Sequence, residues 1–207
     1  SATTGICEAV AGKCYYVASD GNNNNNGSFG APFKTFLPAV SRAAPGDIIY
    51  ARGGIYGFAN RMVYTNIWNW STQNVGAQNC NPGDVYVDNY CHYDGYTMIG
   101  IHDFSGWASH TAAYGVQSGT AGNPITVKNY PGEHPIFVLA NDTVGVNGIY
   151  LYGKDYRIID GLEIRNGGID MNSAHNIWIK NNEIYGRHGW PGTNTGLIMI
   201  GEATVLV

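Results

Sequence analysis

Residues 148–207 state one pattern three times, and a repeat of that length constrains everything around it. GIYLYGKDYRIIDGLEIRNG (148–167) is followed by GIDMNSAHNIWIKNNEIYG (168–186) and, after the polar insert RHGWPGTNT, by GLIMIGEATVLV (196–207). A 20-residue step carries Ile149 onto Ile169, Ile159 onto Ile179 and Ile164 onto Ile184. A 28-residue step carries Ile169, Met171, Ile177 and Ile179 onto Leu197, Met199, Val205 and Val207. Each unit holds short β-branched runs split by Gly, Asn or Asp, without the sustained 3.6-residue period of a helix. One such unit cannot bury its own apolar face, so the units must stack as coils about 4.8 Å apart. The pattern predicts an all-β protein, a right-handed parallel β-helix, with Ile149, Ile159, Ile164, Ile169, Ile179, Ile184, Leu197 and Val205 buried.

Arg157 breaks the pattern, because a strict 20-residue register puts it on an inward position; a bulge there would restore the alternation. Asn166, Asn181 and Asn182 fall at the corners, where Asn tolerates left-handed backbone and its amide can bond along the stack.

At 207 residues the chain suffices for one substantial core, read as a single domain over 1–207. Only 13% of residues are charged, and Gly numbers 29 and Tyr 15, which suits a turn-rich extracellular protein. A net charge of −4 without a basic cluster argues against nucleic acid. No apolar stretch is long enough for a membrane helix, and SATTG reads as a mature N-terminus. The four cysteines form two close pairs, Cys7 with Cys14 and Cys80 with Cys91; local disulfides are expected over the other connectivities and over zinc, whose ligands are more closely spaced. Asn26, Asn69 and Asn141 each begin an Asn-x-Ser/Thr sequon usable outside the cell. The run DGNNNNNGSFG reads as a polar turn. In TFLPAVSRAAPGD (35–47), Phe36, Leu37, Val40 and Ala44 share a helical face, with Thr35 as cap and Pro45–Gly46 as stop. A helix there would cover the first coil as a lid.

YYVASDG, APFKTFLPAV, APGDIIYARGGIY, SGTAGNPITVKNYPGEHPIF and DYRIIDGLEIRN together resemble the opening coils of secreted right-handed β-helix polysaccharide lyases. The resemblance is to the pectate-lyase-like superfamily, closest to the family 9 and family 6 types, over residues 15–56 and 118–200. It implies the β-helix and a relationship to enzymes that cleave uronate polymers by β-elimination. In those enzymes calcium on several carboxylates neutralises the substrate carboxylate, and a Lys or Arg removes the C5 proton. The family 9 signatures DGFAxK and DDGxD do not occur in this sequence. No catalytic residue is carried over.

Residues 57–117 interrupt the resemblance as a long excursion rich in aromatic residues. Trp68, Trp70, Tyr90, Tyr93 and Trp107 within it, with Trp178 and Trp190 on the coils, are candidates for stacking on sugar rings or packing on a partner. Asp84, Asp88 and Asp94 offer oxygen for a weak calcium site, the single candidate cofactor. Lys180 beside Trp178, and Arg187, are the candidate bases, although a lysine amine is a poor base unless burial lowers its proton affinity.

Three readings of function follow. GLIMIGEATVLV presents an apolar final coil, with Leu206 and Val207 at its edge, which would join a second copy and build a filament from a non-catalytic extracellular subunit. Alternatively the chain is the N-terminal part of a calcium-dependent lyase on uronate glycans, or a glycan-binding module.

Overall fold

The computed structural model describes residues 5–57, 85–87, 90–92, 97–102, 116–139, 147–185, 198–200 and 203–206. Of 85–102 and the strands beyond 197, side chains are described only for Ile99 and Ile198.

Three parallel sheets wrap one core. Sheet A takes β1 (Cys14–Val17), β2 (Ile48–Ala51), β7 (Ile125–Asn129), β10 (Arg157–Asp160), β13 (Ala174–Lys180) and β16 (Ala203–Leu206), paired in that order. Sheet B takes β3 (Gly54–Tyr56), β8 (Pro135–Val138), β11 (Glu163–Arg165) and β14 (Glu183–Tyr185). Sheet C takes β6 (Thr97–His102), β9 (Asn147–Tyr152), β12 (Ile169–Asn172) and β15 (Ile198–Ile200). The chain visits A, B and C in rotation, so each circuit lays one strand on every sheet. That is the expected β-helix. β6 lies inside the stretch read as an excursion, yet it pairs with β9 as the first strand of sheet C. Residues 63–96 form a second compact unit, described as an antiparallel pair of β4 (Val85–Val87) and β5 (Tyr90–His92).

The 20-residue ladders hold: Ile149 pairs with Ile169, Ile159 with Ile179 and Ile164 with Ile184. Ile149, Ile159, Ile164, Ile169 and Ile179 are buried, whereas Ile184 is half-buried. Each fully enclosed Ile contributes roughly 1.5–3 kcal/mol of transfer free energy. On sheet B the inward ladder is aromatic at one end, Tyr56–Phe137–Ile164–Ile184, and Phe36 packs edge-on to Phe137 at 5.7 Å. The buried Tyr56 hydroxyl shares its one proton between the Val17 and Arg52 carbonyls, both at 2.8 Å.

In the last circuit the 28-residue step fits only in part. Ile177 pairs with Val205 as expected, but Ile169 and Met171 pair with Ile198 and Ile200 rather than Leu197 and Met199. The offset is absorbed by a register shift between Ala174 and Ile177, where β13 carries one residue more than β16 and Asn176 sits at φ 57°. Leu197 and the side chain of Val205 lie outside the description.

The bulge expected at Arg157 is absent. Arg157 pairs in register with Ile125 and Ile177 and points inward, with no exposed surface. The coil accepts the residue because its long aliphatic stem fills the space between two isoleucines.

The 35–47 segment also differs from expectation, since it contains a single helical turn, α1 (Leu37–Val40). Thr35 does not cap it. Its hydroxyl and amide bond Asn23 instead, while Pro38 takes the first turn. Asn166 and Asn181 adopt left-handed backbone at φ 60° and 54°. Asn181 donates to Asp160, and Asn182 bonds both Leu162 and Ile159, so the corner asparagines bond along the stack as expected.

Candidate functional site

Alternation along parallel strands in register turns two outward rows of sheet A into continuous stripes. One reads Ile48–Thr126–Ile158–Trp178 and the other Tyr50–Lys128–Asp160–Lys180. At one end of these rows the outer surface is closed. The Cys7–Cys14 disulfide ties down the N-terminal segment, whose backbone bonds the hydroxyls of Tyr130, Tyr50 and Tyr16, and Glu8 pairs with Lys128 at 2.9 Å. Burial pushes the Tyr50 hydroxyl up to about 12, so it remains a neutral hydrogen-bonding group throughout the physiological range.

Further along, the surface opens. Trp178 is 45% exposed, and Lys180 stands two residues on, with its side chain 50% exposed, about 7 Å away on the same face. The Lys180 ammonium reaches Asp160 Oδ2 at 3.6 Å, a loose pair that an incoming carboxylate can share. The bulge immediately precedes Trp178. It places His175 beside Asp155, whose carboxylate accepts the His175 backbone N–H at 2.8 Å. Bulges re-aim side chains next to binding sites, and Ser173 at φ 50° with Asn176 at φ 57° marks this as strained backbone. The structure thus brings Trp178 and Lys180 together as an aromatic platform with an adjacent cation.

A second cluster stands on the outside of sheet B. Glu163 is nearly buried, and its two oxygens accept from Arg165 Nε and the Tyr185 hydroxyl on one side and from His134 Nε2 on the other. The Arg165 bond leads those of Tyr185 and His134 in drawing the Glu163 carboxyl down to about 2. His134 and Tyr185 were not singled out from the sequence. The signal was available for Tyr185, which follows Arg165 by one 20-residue step; His134 has no such marker.

Among the described residues no three His, Cys, Asp or Glu side chains converge as metal ligands. Glu163, as enclosed as Asp47, already has both oxygens engaged. Asp84, Asp88 and Asp94 lie outside the described residues, as do Arg187, Trp68, Trp70, Tyr93, Trp107, Trp190, Cys80, Asn69, Asn141 and Val207. Tyr90 and Cys91 are on β5. Asn26 is exposed, with its Oδ1 accepting the Ser28 N–H at 3.0 Å. Leu206 pairs with Trp178 across β13 and β16, the ordinary stacking of one coil on the next. No helix among the described residues is long and apolar enough to cross a membrane.

A solenoid of three parallel sheets with polar and aromatic outward stripes defines the class of right-handed β-helix proteins. The profile described as "Pel9A-like, right handed beta helix region" matches residues 15–204, and the chain belongs to that family. Two solved structures are similar in fold. A rhamnogalacturonan lyase is 18% identical with a TM-score of 0.52 over 83% of this chain and 36% of its own. Pectate lyase Pel9A is 22% identical with a TM-score of 0.52 over 83% of this chain and 33% of its own. The chain therefore spans about a third of the length of each. No curated protein matches the sequence.

Proposed function

We propose that the chain forms part of the solenoid of an extracellular polysaccharide lyase-type protein, and that it holds an acidic, uronate-containing glycan along the outward face of sheet A. The observation that carries this reading is the Trp178–Lys180 pair, both about half exposed and set on the same face just after a bulge in β13. An aromatic face suits the apolar side of a sugar ring, and a cation about 7 Å along the strand suits the ring's carboxylate. Family membership supports the substrate class. The disulfide at Cys7–Cys14 supports an oxidising compartment.

Eliminative cleavage needs a base to take the C5 proton, a bond between C4 and the glycosidic oxygen to break, and a proton for the departing oxygen. Lys180, exposed and paired with Asp160, is arranged to bind a carboxylate rather than to abstract that proton. In this reading Lys180 serves to bind the glycan.

The test is affinity electrophoresis and calorimetry of the 207-residue chain with polygalacturonate and with neutral dextran. Retention by polygalacturonate alone, weakened by salt and reduced about fivefold to tenfold in Trp178→Ala, is expected; 1.4 kcal/mol corresponds to tenfold. Ultraviolet absorbance of unsaturated uronate should not rise. Equal retention by both polymers, or unchanged binding in Trp178→Ala, would overturn the proposal. Light scattering in the same samples separates it from a filament-forming subunit.

A further inference from the structure

Arg157 is the largest fully buried side chain among the described residues, and there its charge finds no counter-charge. It sits in the inward ladder between Ile125 and Ile177, two side chains that carry no polar atom. Nη2 donates to the Gln117 carbonyl. Nε and Nη1 are buried and find no acceptor among the described residues. Among the described residues the carboxylates nearest in sequence are engaged elsewhere. Asp155 is turned to His175, and Asp160 to Lys180 and Asn181.

A guanidinium is always a donor, and one with two idle N–H groups inside an aliphatic wall demands a counter-charge. Desolvation lowers its proton affinity, to about 9, which still leaves it a cation at neutral pH. Its side chain has no exposed surface, so whatever answers the charge must be small and enclosed. A polymer or a phosphorylated metabolite cannot reach it.

We propose that Arg157 holds a small monovalent inorganic anion, of the halide class, inside the solenoid next to Gln117. The anion accepts from Nε or Nη1, while Gln117 fixes the guanidinium from the other side. It is structural rather than catalytic, and it ties residues 116–119, which lead into the second circuit, to the coil that follows. The Gly119 N–H to Asp155 carbonyl bond at 2.9 Å and the Asp155 N–H to Ser118 hydroxyl bond at 3.0 Å join the same two segments. Arg157 gives that seam its only charged contact among the described residues.

The experiment compares the full chain with Arg157→Met, whose side chain keeps the aliphatic stem and suits the flanking isoleucines. Thermal unfolding is followed in sodium chloride or bromide and in sodium gluconate at matched ionic strength. The wild-type midpoint should rise with halide concentration, as for any ligand that binds only the folded state, and the Met variant should lose that dependence. Crystals grown in bromide should show an anomalous peak within hydrogen-bond distance of Arg157. Equal halide dependence in the two proteins overturns the proposal. So does a bromide-grown crystal with only water or an acidic side chain at Arg157, a result available even if the variant fails to fold.

Discussion

Asn182 binds Leu162 across the gap between two successive coils, its Oδ1 accepting the Leu162 N–H at 2.9 Å. The same amide donates from Nδ2 to the Ile159 carbonyl at 2.9 Å, so one side chain satisfies two backbone groups where sheet A turns towards sheet B. Replacing Asn182 with Ala leaves both without that partner. We expect a loss of about 1–3 kcal/mol, read as a lower urea midpoint with an unchanged slope.

Ile179→Asp tests the inward register itself. Ile179 is 4% exposed over Ile159, and a carboxylate there has no partner. A cost of several kcal/mol is a large share of an ordinary stability of about 5–15 kcal/mol, so the variant should lose its cooperative thermal transition. A wild-type melt would mean that the sheet A ladder is assigned to the wrong face.

Gly161 turns the chain from β10 into β11 at φ 69°, and a Cβ on it would come within 2.2 Å of Asn129 Oδ1. Gly161→Ala therefore combines a left-handed backbone penalty of roughly 1–2 kcal/mol with displacement of Asn129, which bonds the Glu133 carbonyl at 3.1 Å. The midpoint of thermal unfolding should fall by several degrees.

Glu163 gives the protein an acid limit. Its carboxyl is lowered from 4.5 to about 2, so the stabilisation it supplies is complete above pH 4.5 and disappears as pH falls towards 2. Glu163→Gln removes the titrating group. Between pH 4.5 and 2 the wild-type melting point should fall more steeply than that of the variant, and parallel profiles would show that the cluster contributes nothing.

The ladders of Ile149, Ile159 and Ile164 were legible because stacking in a solenoid converts sequence period directly into spatial contact. The last circuit was legible only to within one residue, since the bulge at His175–Asn176 shifts register locally in a way that hydrophobic periodicity cannot register. Arg157 misled for a related reason: a charge on an inward position argues for a bulge on average, but a long aliphatic stem can occupy that position. Trp178 beside Lys180 could be read directly, as neighbours on one strand face. The Glu163 cluster could not, because His134 and Glu163 meet across coils joined by residues without a repeat.

The joins between sheets carry a further consequence. Residues 166–168 connect β11 to β12, whereas residues 186–197 connect β14 to β15, and the strands on either side still pair in parallel. Between sheets A and B the corresponding joins vary less: two residues at 52–53, 161–162 and 181–182, and five at 130–134. One corner of the fold thus nearly keeps metre while another admits new text. A peptide tag or recognition loop grafted between β11 and β12 should be carried by the scaffold at little cost, and the same graft at 161–162 should not.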